Sequence, residues 1–254
     1  MNTRLLAGSA TLWMLWALPA TAAPAAIEDS LPQRLAACTT CHGKQGRASA
    51  DGYLPRIAGK PAGYLLHQLL NFREGRRHYG PMVALVDPLP EAYLREIADY
   101  FAALDLPYPS PAAVTEQAAV LARGRQIAMQ GDATRGLPAC AACHGATLTG
   151  VLPATPGLLG LPRDYLTGQL GAWLNGQRKA HAPDCMAQVA QKLDGGDLAA
   201  VSAWLASQPV PVGGKPLAAL PGPAPAPAPA PGFATASEPG PAPLRCGSTA
   251  GVAP

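Results

Sequence analysis

Residues 38–46 read CTTCHGKQG, and residues 140–148 read CAACHGATL. Each stretch places two residues between two cysteines and a histidine directly after the second cysteine. Within a helical turn, residues three and four apart share a face. The spacing therefore presents two thiols and an imidazole together. That set suits one covalent chemistry, in which two thioether bonds form to the vinyl groups of a haem and the imidazole nitrogen coordinates the iron. C-x-x-C-H is the attachment signature of c-type haem. Cys38, Cys41, Cys140 and Cys143 are read as attachment points, and His42 and His144 as iron ligands.

Two other chemistries use the same cysteines. A thioredoxin-like dithiol wants a βαβ surrounding, which neither motif has. A zinc site could draw on Cys38, Cys41, Cys140 and Cys143, but it leaves both adjacent histidines without a role.

The sequence around the motifs is duplicated. PRIAGKPAGYLLHQLLNFREGRR at 55–77 aligns with PGLLGLPRDYLTGQLGAWLNGQR at 156–178, and GPMVAL from Gly80 parallels PDCMAQV from Pro183. Matched positions lie between 101 residues apart, Pro55 to Pro156, and 104, Met82 to Met186. Two long units indicate a duplicated domain rather than a solenoid. The boundaries are a first domain at 27–106, a proline connector at 107–111, a second domain at 112–209, and a Pro/Ala-rich tail at 210–254. The tail contains PGPAPAPAPAPG and is expected to be solvated, disordered and polyproline-like.

Both units read as all-α. Leu94, Ile97, Phe101 and Leu104 form one apolar stripe at helical spacing, repeated by Leu198, Val201 and Leu205. Further helices are expected at 31–40, 62–72, about 114–129 and 163–175, and no alternating strand is evident.

A histidine-bound haem iron that only exchanges electrons needs a sixth ligand. Met82 lies 40 residues after His42, and Met186 lies 42 after His144, each in the repeat-matched loop before the last helix of its unit. Equivalent placement makes both methionines axial ligands rather than core filler. His/Met ligation raises the potential and closes the iron to substrate. Pro55 and Pro156 match, and their carbonyls could accept the other ring N–H of His42 and His144. Tyr64, Tyr165, Arg77 and Arg178 also match, with haem propionates or ordinary surface roles as the alternatives. His67, His78 and His181 have no counterparts and read as surface or satisfied histidines, the last two as reserve ligands.

Residues 1–22 have the layout of a secretory signal: Arg4, the apolar run LLAGSATLWMLWAL, and ATA ending at Ala22. The run is short for a membrane span. Net charge is +3 with no basic cluster, unlike a nucleic-acid binder. Aromatic content is only 6%, so each small core would gain from a large buried prosthetic group.

The chain resembles the dihaem class I cytochromes c of the cytochrome c4 type. The resemblance rests on CTTCHG, CAACHG, the GLPAC before the second motif, YLLHQLLNFREGRR, MVALVDPLPEAYLREIADYFAAL and MAQVAQKLDGGDLAAVSAWLASQ, and covers about residues 30–207. It implies two cytochrome c folds packed together, two c-type haems, and the axial pairs His42–Met82 and His144–Met186. It also implies periplasmic electron delivery, often to a haem–copper terminal oxidase. The long tail and the extra Cys185 and Cys246 depart from the pattern. In an oxidising compartment a leftover pair suggests a disulfide, tying the end of the tail to the second methionine loop. Cys185 as an iron ligand is the minority alternative.

These readings imply a periplasmic carrier taking single electrons from a quinol-oxidising complex or a dehydrogenase and passing them to a terminal oxidase or other acceptor. A cytochrome subunit of a larger dehydrogenase, with the tail as a docking spacer, is the alternative. A dihaem enzyme, such as a peroxidase or thiosulfate-oxidising protein, would need an open or displaceable sixth position.

Overall fold

The computed structural model describes residues 30–48, 52–111, 113, 115–218 and 246–249. Contacts divide the chain into residues 1–34 and 35–254. The described part of the first unit is the single turn α1 (Leu31–Arg34).

Among the described residues, the regular elements of the second unit are helices apart from one small hairpin. Its first half runs α2 (Ala36–His42), α3 (Ala62–Arg73), α4 (Gly80–Val86) and α5 (Glu91–Ala103). Its second half runs α6 (Ala118–Met129), α7 (Cys140–His144), the strands β1 (Gly150–Val151) and β2 (Thr155–Pro156), then α8 (Arg163–Leu174), α9 (Cys185–Ala190) and α10 (Gly195–Ser207). The element order follows the repeat: α2, α3, α4 and α5 correspond in order to α7, α8, α9 and α10.

Helical periodicity explains the long elements. On α5, Leu94, Ile97 and Phe101 are buried against α3, where Leu65, Leu66, Leu70 and Phe72 face inward. Leu104 lies just past the helix end as its cap and is only half-buried. In the second half Leu198, Val201 and Leu205 of α10 are buried, and α10 packs on α6 and α8 around Ile127, Leu137, Leu148 and Leu166. Asp194 caps α10 by accepting from the backbone N–H of Asp197 at 2.8 Å. Asp197 is itself buried and receives Arg123 Nε at 2.8 Å and Arg135 Nη2 at 2.5 Å, which fastens α10 to α6 and to the turn before the second motif.

Four expectations shift. The helix expected at 31–40 is divided at Leu35 into α1 and α2. The helix expected from about 114 starts at Ala118. The methionine segments are not loops but the short helices α4 and α9. A hairpin also exists where no strand was expected. β1 and β2 have two residues each, too few to display an alternating pattern.

The connector is held rather than free. Arg56 donates through Nη2 to Leu106 O at 2.6 Å and through Nη1 to Pro107 O at 3.2 Å, and its guanidinium stacks 4.0 Å from the Tyr108 ring centre. The tail's expected disorder falls mostly on residues 219–245, and the signal segment on 1–22; both lie outside the described residues. Among the described residues no helix is long and apolar enough to cross a membrane.

Candidate functional site

Each C-x-x-C-H stretch forms a short helix that ends at its histidine. Gly43 and Gly145 then turn the chain back at φ +73° and +85°. Glycine is needed at position 43: a Cβ there would stand 2.1 Å from Ala48 O, because the chain closes on itself through Ala48 N–H to His42 O at 2.8 Å.

The closed turn brings the histidine under the following loop. His42 Nδ1 is 2.8 Å from Pro55 O, and His144 Nδ1 is 2.7 Å from Pro156 O. A carbonyl can only accept, so Nδ1 carries the proton in both rings. That leaves Nε2 with its lone pair, the tautomer a metal requires. Both rings are 8% exposed, and burial lowers their pKa, which favours the neutral imidazole. Proline fixes φ, so the accepting carbonyl comes from a stiff segment in both halves.

The four motif cysteines are unbonded to one another. Burial pushes the Cys38 and Cys143 thiols up and Cys140 up to about 11. Redox-active and zinc-binding pairs favour the thiolate instead. Among the described residues no group of three or more His, Cys, Asp or Glu side chains gathers to hold a metal ion, so the zinc alternative has no site there.

Met82 is the third residue of α4 and Met186 the second of α9, both half-buried. Asp184 fixes the start of α9, accepting from Ala187 N at 3.0 Å and from Ala180 N at 2.7 Å. Cys185 is joined to Cys246 with Cα atoms 5.4 Å apart, and Gly247 N–H reaches Pro183 O at 3.0 Å. The final described turn is thus stapled beside Met186. Cys185 is consequently unavailable as an iron ligand in this state.

The two halves meet through a polar knot. Arg77 donates to Tyr165 Oη at 3.1 Å, Gln169 Oε1 at 2.7 Å and Gln68 Oε1 at 3.2 Å. Arg178 mirrors it, donating to Gln169 Oε1 at 2.7 Å and Gln68 Oε1 at 2.9 Å. Arg178 is only 6% exposed and stacks 3.8 Å from Trp173, whose Nε1–H is buried with no partner among the described residues. Buried Arg178 and half-buried Arg77, both with neutral partners, leave positive charge uncompensated, and Trp173 adds an unsatisfied neutral donor beside them. Anionic carboxylates such as haem propionates fit that demand. Together with unpaired thiols and metal-ready imidazoles in both halves, the donor set fits two c-type haems.

Comparison with known proteins agrees. The thiosulfate dehydrogenase electron acceptor of Thiomonas intermedia (strain K12) is 35% identical over 207 residues, covering 82% of this chain and 92% of that protein. Cytochrome c4 of Pseudomonas aeruginosa is 32% identical over 176 residues, covering 68% and 84%. The crystal structure of reduced recombinant cytochrome c4 from Pseudomonas stutzeri superposes with a TM-score of 0.60 at 29% identity, over 68% of this chain and 94% of that one. No protein-family model matches.

The chain belongs to the dihaem cytochrome c4 family. The all-α, cytochrome c-like fold and two c-type haems follow from that membership. Cytochromes c4 serve electron transfer, and the chain shares that general role.

Sequence reasoning missed several residues of this cytochrome c4-type site. Gln68 and Gln169 recur in register, so the repeat itself could have nominated them. Arg56 and Lys60 have no basic counterparts, since Gly157 and Leu161 stand at their places. His67 is buried rather than superficial, its ring 5.3 Å from that of His181, and its Nδ1 lacks a partner among the described residues. His181 Nε2 lies 3.1 Å from Arg76 Nη2.

Proposed function

We propose that this protein is an exported dihaem electron carrier that accepts electrons from a thiosulfate-oxidising dehydrogenase and hands them singly to a membrane respiratory complex or terminal oxidase. One observation carries the reading: each half holds a buried, Nδ1-tethered imidazole next to unbonded C-x-x-C thiols, in a chain alike over most of its length to a thiosulfate dehydrogenase electron acceptor.

In this reading Cys38, Cys41, Cys140 and Cys143 would carry the thioethers, and His42 with Met82, and His144 with Met186, would hold the two irons. Bound haem supplies the one-electron redox couple. The chain's own residues do the rest. Pro55 and Pro156 lock the imidazoles. α4 and α9 would present the Met82 and Met186 sulfurs as the second protein ligand to each iron. Arg77 and Arg178 hold anionic edges between the halves. Two protein ligands at each iron would leave no open position for substrate, which favours a carrier over an enzyme. Coupling two thiosulfates through a new S–S bond releases two electrons, matching one electron for each haem. Export through the 1–22 signal places the protein in the periplasm, where attached cofactors are retained.

The test mixes oxidised holoprotein with a thiosulfate dehydrogenase and thiosulfate and follows haem reduction by stopped flow. Reduction of both haems, dependent on the dehydrogenase, is expected. Reduction by thiosulfate alone would indicate an enzyme. No reduction with the dehydrogenase, while a quinol-oxidising complex reduces both haems, would replace the proposed donor.

A further inference from the structure

Lys60 belongs to the first half but serves the second. It is 4% exposed, and its Nζ donates to Gly157 O at 3.1 Å. Gly157 follows Pro156, whose carbonyl holds the Nδ1–H of His144. A buried cation therefore sits on the very next carbonyl after the one that orients the second imidazole. Leu161 takes the corresponding place in the repeat, so the first imidazole receives no matching contact. Among the described residues no carboxylate pairs with Lys60. The charged and titratable groups acting on it or feeling it are Arg56, a like charge, and His144.

We propose that Lys60 is a positioning residue for electron flow: its buried charge raises the potential of the second haem above the value its own half would set. This rests on His144 being that haem's ligand. Oxidation adds one positive charge at the iron. In a poorly screened interior a neighbouring ammonium opposes that charge and favours the reduced state. An electron arriving at either haem then settles preferentially on the second, which gives the duplicated protein a direction.

Burial lowers the Lys60 ammonium to about 7, so the charge is best read at about pH 6. The experiment titrates full-length holoprotein spectroelectrochemically for wild type, Lys60→Met, Lys60→Gln and Lys60→Arg, with the waves assigned through Met186→His. In Lys60→Met and Lys60→Gln the electron's preference for the second haem should fall about tenfold, equivalent to about 59 mV. The first wave should move far less, and Lys60→Arg should keep the wild-type separation. Gln retains a donor for Gly157 O, so a purely structural role would leave its potentials unchanged and overturn the proposal. Equal movement of both waves, or an unmoved second wave, would also overturn it. If Lys60→Met does not accumulate, the Gln and Arg variants decide. The underlying reading fails separately: a second haem whose spectrum is unaltered in His144→Gln would remove His144 as ligand, whatever Lys60 does.

Discussion

The crossing of α6 and α10 makes a sharp demand on one residue. A Cβ at Gly124 would lie 2.2 Å from Ala200 O, 2.7 Å from Ala200 C and 2.7 Å from Trp204 Cβ. Ordinary contact needs roughly 3.5 Å, so Gly124→Ala must push the helices apart by about 1 Å. Two of the obstructing atoms are backbone and cannot rotate away. Overpacking typically costs about 1–3 kcal/mol, and a backbone obstruction belongs at or above the top of that range. Helix propensity gives back about 1 kcal/mol. The net loss should be at least about 2 kcal/mol, a shift of roughly thirtyfold in the unfolding equilibrium. Gly168 supplies the control: it is an exposed glycine of α8 with nothing within 4 Å of the added Cβ, so Gly168→Ala should stabilise by up to about 1 kcal/mol. Guanidinium unfolding followed by far-ultraviolet circular dichroism and by the Soret band measures both variants. If Gly124→Ala were as stable as wild type, the close crossing of α6 on α10 would be wrong.

Replacing Met82 or Met186 by His should lower the potential of only the haem in the same half and abolish its methionine–iron band at the red end of the oxidised spectrum, read by spectroelectrochemistry. The Lys60 ammonium titrates lower in the folded chain, at about 7, than its ordinary 10.5. The unfolded chain therefore binds more protons between those values, and stability should rise with pH there by up to about 1.4 kcal/mol per unit. Lys60→Met should flatten that slope in denaturant titrations. Reducing the Cys185–Cys246 bond, which spans a separation of 61 residues, should cost up to about 4 kcal/mol by chain entropy. Unfolding midpoints with and without a phosphine reductant check this.

Local repetition made much of this molecule legible. C-x-x-C-H is a contiguous signal, and duplication singled out Met82 and Met186, which stand near the starts of the matching helices α4 and α9. Pro55 and Pro156 were found the same way, and both carbonyls accept from the imidazoles. The apolar stripes of α5 and α10 were readable because amphipathic helices repeat every few residues. What escaped was short or non-local. α4 and α9 have seven and six residues, too few for a periodic pattern. The contact from Lys60 to Gly157 joins residues 97 apart. A lysine in a loop carries no mark of the carbonyl it will meet across the fold, and its lack of a counterpart removed the one comparison that could have singled it out.

The chain leaves the second half through Leu217, whose N–H reaches Gly150 O and whose carbonyl receives Leu152 N–H, each at 2.8 Å. It is fastened again at Cys246. Leu217 and Cys246 are thus both fastened to the second half, so a single cut in the chain between them would leave both new ends attached to it. Release of the last turn would take a second event, reduction of the Cys185–Cys246 bond, so proteolysis and thiol chemistry must act together before the C-terminal end parts from the Met186 helix.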